Sequence, residues 1–363
     1  MKIFEYIPQL GSGGAERFTV DLCNELSERH DVILCTSFPL KMYGFYKDEI
    51  SSKVKIICLE KKKPGFDWRI PFRLLNILKK EKPDIVHTHL MSIVYTILSV
   101  IVYRKPKYFH TVHNSAKEET DGRIGEKVRR FLFRKKLVTP ITISPDSHNS
   151  FSKFYGLEAT QIPNGRNIPS SIDISPVIVE EYAKFRQNNN TKVILQLARI
   201  SPQKRQDIMA RVADRLIKEG YNIEVLMIGD KHDRQIIENV ESLKNPHIHM
   251  LGSRHNPLEY LKMSDAFALT SSFEGLPISL IEAIGVGTIP ICTPVGGIAN
   301  IIKDGINGFL STDIEENSYY DALKRFMDTP NETLQKIKEA AMESYMPYSM
   351  RECAKKYEQV FNF

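Results

Sequence analysis

Residues 265–286 read DAFALTSSFEGLPISLIEAIGV, and this stretch decides how the chain folds. Asp265–Thr270 is a short apolar run bounded by polar residues, the pattern of a strand buried in a sheet. Ser271–Leu276 is a loop, and Pro277 suits the first helical position, where its missing N–H costs nothing. Ile278, Ile281, Ala283 and Ile284 keep the following helix apolar almost all round. Into it the sequence puts Glu282, with no Lys or Arg three or four residues to either side. A carboxylate on a largely buried helix must find a hydrogen-bonding partner or lose its charge. Glu274 stands at the helix mouth, seven residues separate the two acids, and Gly275 lets backbone come close to a ligand. Free N–H groups and the positive end of the helix dipole open at the same place. Two carboxylates beside an anion-binding helix end suit a ligand that is both polyhydroxylated and phosphorylated, such as a nucleotide sugar.

Outward from this unit the pattern is strand and helix in alternation. In the second half, strands are expected at Lys192–Leu197, Ile223–Ile228, His247–Leu251 and Ile289–Cys292, with a short one at Phe309–Ser311. Helices are expected from about 204, over 231–244, near 315–328 and over 331–343. In the first half, strands Lys2–Ile7, Asp31–Thr36, Lys53–Leu59, Asp84–Thr88, Tyr108–Val112 and Thr139–Ser144 alternate with helices at 67–82, 90–103, 123–136 and 145–155. Such alternation is the signature of a parallel sheet covered on both faces, here α/β and twice over. The Pro-, Ser- and Asn-rich segment Ile162–Pro176 reads as the linker. The expected domains are therefore 1–165 and 170–345, with 346–363 as a final helix. Ligands in such sheets bind beyond the carboxyl ends of the strands, so the shared cleft of two facing Rossmann-like domains is the expected site.

Composition sets outer bounds. At 363 residues the chain is long for one core, and two domains are the better expectation. A net charge of +6 permits anionic substrates or a membrane surface and is too weak to argue for nucleic acid. Cys23, Cys35, Cys58, Cys292 and Cys353 are scattered with no Cys-x-x-Cys pair, as in reduced thiols of a cytoplasmic protein. Met1–Pro8 reads as a strand rather than a signal peptide, and the apolar run Leu90–Tyr103 is too short to span a bilayer. The expectation is a cytoplasmic protein, soluble or peripheral to the membrane.

Strand 192–197 runs into Ala198-Arg199-Ile200-Ser201-Pro202-Gln203-Lys204. Arg199 leaves the strand end and Lys204 lies near the next helix, both on the ligand side of the sheet. They suit the bracketing of a pyrophosphate, Arg as a fork and Lys as a point charge. Taken alone they read as solvated surface cations; with the acidic pair downstream they do not. Arg199 with Lys204, Gly229-Asp230, and Glu274-Gly275-Leu276-Pro277 reaching Glu282 resemble family 4 glycosyltransferases of the GT-B fold. The resemblance extends to Gly13-Gly14-Ala15-Glu16, to DIVHTH at 84–89 and to Ile162-Pro163-Asn164-Gly165, so it spans nearly the whole chain.

The resemblance implies a retaining transferase that moves a hexose-type sugar from a nucleotide diphosphate sugar to a glycan or lipid-linked acceptor, as in surface polysaccharide assembly. A UDP-sugar is the commonest donor in such enzymes, and no metal or other cofactor is expected. It implies that Arg199 and Lys204 hold the donor diphosphate, approached by Gly13 and Gly14 from the first domain. Glu282 would bond the ribose and Glu274 the donor sugar, with N–H groups of Gly275 and Leu276 alongside. His113 would lie beside the reacting sugar, and Ser253 and Arg254 would touch the base. Glu274 then positions the sugar while the departing phosphate helps take the acceptor proton. Two positions depart from the family pattern: Arg166 where a small apolar residue is common, and Arg205 where Gly or Asn is usual.

Other readings compete. A GT-B nucleotide-sugar epimerase shares the architecture, and a non-catalytic nucleotide- or glycan-binding relative would share the sites. A Rossmann dehydrogenase fits less well, because Gly11-Ser12-Gly13-Gly14 lacks the G-x-G-x-x-G spacing. His87, His89, His110 and His113 raise a metal site, but no ordered Cys or Asp set completes one, and His87 and His110 read as structural. Segment 123–136, RIGEKVRRFLFRKK, carries seven Lys/Arg against one Glu, with Val128, Phe131 and Leu132 as an apolar stripe. It reads equally as a solvated face or as a peripheral contact with anionic membrane through cations such as Arg129, Arg130 and Lys135. The acceptor loops Phe38–Tyr46, Lys61–Trp68 and Ser115–Arg123 carry no readable code. The final helix, with Met350, Cys353, Tyr357, Val360 and Phe361, is expected to pack back on the first domain.

Overall fold

The computed structural model describes every residue except Asp121, Gln187, Asn189 and Phe363. Asp121 in the 115–123 loop and Phe363 in the 346–363 segment thus lie outside the described residues. The chain divides into two compact domains, Met1–Asn167 with Tyr348–Phe363, and Ile168–Pro347.

The first domain is a seven-stranded parallel sheet of β1 (Lys2–Ile7), β2 (Asp31–Thr36), β3 (Lys55–Cys58), β4 (Ile85–His89), β5 (Lys107–Val112), β6 (Thr139–Thr142) and β7 (Thr160–Gln161). Its strand order is β3-β2-β1-β4-β5-β6-β7. The order reverses between β1 and β4, so the loops leaving those strands diverge and open a crevice. The period of two in β1 sorts its side chains. Phe4 and Tyr6 enter the apolar core with Ile33, Leu74 and Val86, while Glu5 turns to the other face, in register with His87. That face is covered by the helix Gly14–Leu26 and the C-terminal helix Met350–Phe361, which pack on one another. Tyr357 and Phe361 both lie against His87.

The C-terminal segment is tied in by main chain. Arg166 N–H donates to the Tyr348 carbonyl and Met350 N–H to the Arg166 carbonyl, each at 3.0 Å. Gly165 is required there: a Cβ would stand 2.5 Å from that of Cys353 and 2.9 Å from Met350 Cα. The unusual Arg166 is explained by a buried ion cluster. Its guanidinium donates to Asp21 at 2.7 Å, and Asp21 also pairs with Arg17.

The second domain is a six-stranded parallel sheet of β8 (Lys192–Leu197), β9 (Ile223–Ile228), β10 (Ile248–Gly252), β11 (Ala266–Leu269), β12 (Ile289–Cys292) and β13 (Phe309–Leu310). The order β10-β9-β8-β11-β12-β13 again reverses beside its first strand, between β8 and β11. Ile194, Val225, Ala268 and Ile291 form its core with residues of the helices Gln206–Lys218 and Glu316–Asp328.

Two expectations need correction, and two further helices appear. The 90–103 helix is two pieces, Ser92–Tyr95 and Ile97–Val102. At the break the Thr96 hydroxyl and N–H both bond the Ile93 carbonyl, at 2.6 and 3.0 Å, a local side-chain bond that competes with the helix. Helices Pro176–Phe185, which begins at the last residue of the expected linker, and Pro257–Met263 form in stretches given no element from the sequence, each entered through a proline in its first turn. Pro277 is the N-cap of the helix Ile278–Val286 rather than its first residue.

The Asp21 cluster gives a stability test. Asp21→Ala leaves two buried guanidinium groups short of a partner and should cost about 3–5 kcal/mol. Urea unfolding would show a lowered midpoint with an unchanged slope; a shift below about 1 kcal/mol would contradict the assignment.

Candidate active site

In the second domain Lys204 and Glu274 meet at the β8/β11 switch point. The loop after β8 and the loop after β11 are laced together. Gln196 on β8 donates to the Lys204 carbonyl at 3.1 Å and to the Thr270 hydroxyl at 3.0 Å. Thr270 Oγ1 lies 2.8 and 2.9 Å from the Lys204 and Arg205 carbonyls. Gln203 donates to the Phe273 carbonyl at 2.9 Å, and Ser272 N–H to the Gln203 carbonyl at 2.9 Å. This lacing sets Lys204 against Glu274, whose carboxylate it pairs with directly. Glu274 Oε1 also accepts from the Ser271 hydroxyl at 2.5 Å.

Lys204 can stand there because Arg205 turns the chain with φ 51° and ψ 48°. Left-handed backbone costs an L side chain roughly 1–2 kcal/mol, which is why Gly or Asn suits the position; here Arg205 is held by a 2.5 Å bond to the Ile314 carbonyl. Gly275 accepts from Gly297 N–H at 2.7 Å, so the loop 293–297 backs the Glu274–Leu276 backbone. Any Cβ on Gly296 would meet the Glu274 carbonyl oxygen at 2.1 Å. Glu282 lies buried in the second turn of the helix that follows, 5% exposed.

Other predicted residues are less directly engaged. Arg199 follows β8, and its carbonyl accepts from Gln206 at 2.9 Å. Ser253 bonds Asp230. Arg254 donates to Tyr260 Oη at 3.1 Å and to Glu181 at 3.4 Å, and it lines a cavity of about 570 Å³ with Ile178, Lys184 and His255.

In the first domain the predicted residues Gly13 and His113 follow β1 and β5. Gly13 caps the helix Gly14–Leu26 without a side-chain hydrogen bond, beyond the end of β1. His113 follows β5, with its main-chain N–H donating to Glu119 at 3.0 Å and its Nε2 2.9 Å from His89 Nδ1. His89 Nε2 in turn lies 2.9 Å from Glu5 Oε2, and His87 Nδ1 is 2.8 Å from the same oxygen. Glu5, His87 and His89 are wholly buried. Their ligand-type atoms lie within 4.8 Å of one another, a cluster the histidine spacing alone did not reveal. Glu5 escaped the sequence reading because one acid in an apolar strand looks like an outward-facing residue.

Burial alone would raise the Glu5 carboxyl, but the His87 charge and hydrogen bonds from His87 and His89 outweigh it and hold it at about 2. Burial, with the His87 charge, lowers His89 to about 4. Burial and then His89 and His87 hold His113 well below the usual histidine range, and burial with Arg129 does the same to His110.

Arg129 was read as a surface cation and is instead buried, 1% exposed. It donates to His110 Nε2 at 3.1 Å and the Leu90 carbonyl at 3.0 Å. Arg130 is half-buried, bonded to Glu126 and the Phe154 carbonyl.

Sequence profiles place both halves. The description "Glycosyltransferase Family 4" matches residues 12–168, and "Glycosyl transferases group 1" matches 178–344. The chain is 29% identical over 283 residues to an Escherichia coli UDP-Gal:alpha-D-GlcNAc-diphosphoundecaprenol alpha-1,3-galactosyltransferase, covering 72% of this chain and 71% of that one. It is 28% identical to the Staphylococcus aureus capsular polysaccharide biosynthesis glycosyltransferase CapH, covering 78% of each. Anabaena HepE, solved in complex with UDP-glucose, superposes with a TM-score of 0.84 at 16% identity over 100% of this chain and 99% of that one. The shared fold is GT-B.

The buried acid and histidines predict acid sensitivity. His89 binds fewer protons folded than unfolded between its folded value of about 4 and the unfolded 6.5, so its stabilisation is complete above pH 6.5 and is lost as pH falls toward 4, on the order of 3 kcal/mol. Glu5 has the same sign and adds its loss as pH falls from the unfolded carboxyl range toward about 2. Unfolding free energy should therefore fall steadily from pH 7.5 to 4.5; a flat profile would refute the protonation states.

Proposed function

The chain belongs to glycosyltransferase family 4, and on that premise we propose that it transfers a sugar from a UDP-sugar to a glycan or lipid-linked saccharide acceptor, with retention, in surface polysaccharide assembly. The observation that carries this is the laced pair of loops that brings Lys204 onto Glu274 at the β8/β11 switch point, with Arg199 on the first of those loops. Arg199 and Lys204 would hold the diphosphate, Glu282 the ribose hydroxyls, and Glu274 with the Gly275 and Leu276 N–H groups the transferred sugar. Gly13 and Gly14, at the start of the helix Gly14–Leu26, would approach the diphosphate, and Ser253 and Arg254 would adjoin the base.

Breaking a sugar–phosphate bond leaves negative charge on the diphosphate and oxocarbenium character at the anomeric carbon. Arg199, Lys204 and the helix end supply fixed positive charge for the departing anion, without a metal in the scheme. The departing phosphate takes up the acceptor proton as the acceptor attacks from the same face. The Escherichia coli relative is named for UDP-Gal and the Anabaena structure holds UDP-glucose, which supports uridine as the base. A thermal-shift panel of UDP, GDP and ADP tests this. UDP at 100 times its dissociation constant should add about 2.7 kcal/mol of stability, and Lys204→Ala should weaken binding at least tenfold; equal response to the three nucleotides would refute the donor assignment.

We also propose a peripheral membrane contact through the helix Gly122–Arg134. Its outer face carries Arg123, Lys127 and Arg134, with Ile124 76% and Phe131 41% exposed among them, and Lys135 follows. Cations around two exposed apolar side chains suit an anionic lipid surface. Among the described residues no helix is long and apolar enough to cross a membrane. Replacing Arg123, Lys127, Arg134 and Lys135 by Gln should abolish sedimentation with phosphatidylglycerol vesicles at low salt; undiminished binding would sink the contact.

A further inference from the structure

We propose that Glu5 and His89 are positioning residues that hold His113 as the Nε2–H tautomer, so that His113 offers its Nδ1 lone pair to a sugar hydroxyl. The proposal rests on the reading above in which His113 meets the sugar, and deepens it by assigning the polarity of that contact.

The geometry is a one-way chain. Glu5 Oε2 to His89 Nε2 is 2.9 Å, and His89 Nδ1 to His113 Nε2 is 2.9 Å. An ionised carboxylate only accepts, so His89 must carry its proton on Nε2. A neutral imidazole with Nε2 protonated has a bare Nδ1, which accepts from His113 Nε2–H. His113, neutral in its turn, is left with a bare Nδ1 outside the network. The depressed values of all three groups agree with these states.

Neighbouring side chains hold the rings in place. His87 Nδ1 meets the same Glu5 oxygen at 2.8 Å, and its Nε2 meets the Thr111 hydroxyl at 2.8 Å. Thr111 meets Tyr357 Oη at 2.8 Å, so the C-terminal helix closes the network. Phe18 packs edge-on to both rings, its centroid 6.1 Å from His89 and 5.5 Å from His113. Glu119 holds the His113 main chain. The ring of His113 is thus fixed from behind while the residue itself is only half-buried. The logic resembles a carboxylate that orients a catalytic histidine in a hydrolase triad. Here the carboxylate acts through a second imidazole, and the bare Nδ1 of His113 accepts the hydrogen bond of a sugar hydroxyl.

Nitrogen-15 histidine spectra of the whole protein test this directly, because long-range proton couplings separate bare from protonated ring nitrogens. The expected result is His113 with Nε2 protonated and Nδ1 bare at pH 7.5. Glu5→Gln removes the acceptor-only end and should release the tautomer preference. It should lower kcat for UDP release from the best-binding UDP-sugar about tenfold or more, with the donor KM little changed. Nδ1 protonation in the native protein overturns the proposal, as does a stoichiometric divalent ion retained by Glu5, His87 and His89 on purification. If Glu5→Gln does not fold, the native spectrum still decides. If His113→Ala keeps full kcat while the native spectrum shows the expected tautomer, the role of His113 at the sugar fails and the positioning assignment stands.

Discussion

The reversal of strand order beside the first strand of each sheet is the constraint on which the rest depends. In a parallel sheet every loop leaving a carboxyl end runs to a helix on one face or the other. Where neighbouring loops leave to opposite faces, nothing fills the gap between them. The first domain has this gap between β1 and β4 and the second between β8 and β11. The chain spends its unusual polar residues at these two places: Glu5 and His89 on the strands flanking one, Gln196 and Thr270 on or just after the strands flanking the other. All four are fully buried. Buried polar groups need partners, and the partners found for these four lead outward to His113 and to Lys204.

The two networks solve different electrostatic problems. In the first domain one carboxylate oxygen is met by two imidazoles, at 2.8 and 2.9 Å. In the second domain a carboxylate pairs directly with a lysine. Lys204 is 18% exposed at its side chain and Glu274 6%, so the cation is the more accessible partner.

Much of this could be read from the residues, for identifiable reasons. Strands such as Lys192–Leu197, Ile223–Ile228 and Ile289–Cys292 are apolar runs cut off by polar residues, and they form with those bounds. The EGLP loop with Glu282 behind it announces itself, since an acid in an apolar helix with no Lys or Arg one turn away has few explanations. What stayed hidden depended on partners far away in the chain. Gln196, Thr270 and Gln203 are ordinary residues until the sheet brings the two loops together. Arg129 sits in a run of basic residues and differs from them only because the helix turns it toward His110. The helix Pro176–Phe185 was obscured by prolines, which mark a helix start as readily as a linker.

Glu5 shows the limit most clearly. Strand Lys2–Ile7 alternates in space but not in composition: its burial runs through Ile7 without a break after the half-buried Lys2. In a sheet covered on both faces, alternation no longer distinguishes inside from outside. A single acid there must be either an error of polarity or half of a network, and only the register with His87 decides between them. Once that register is known, the direction of every proton in the chain to His113 follows from the one group that cannot donate. The carboxylate at one end thereby fixes the chemical character of the imidazole at the other.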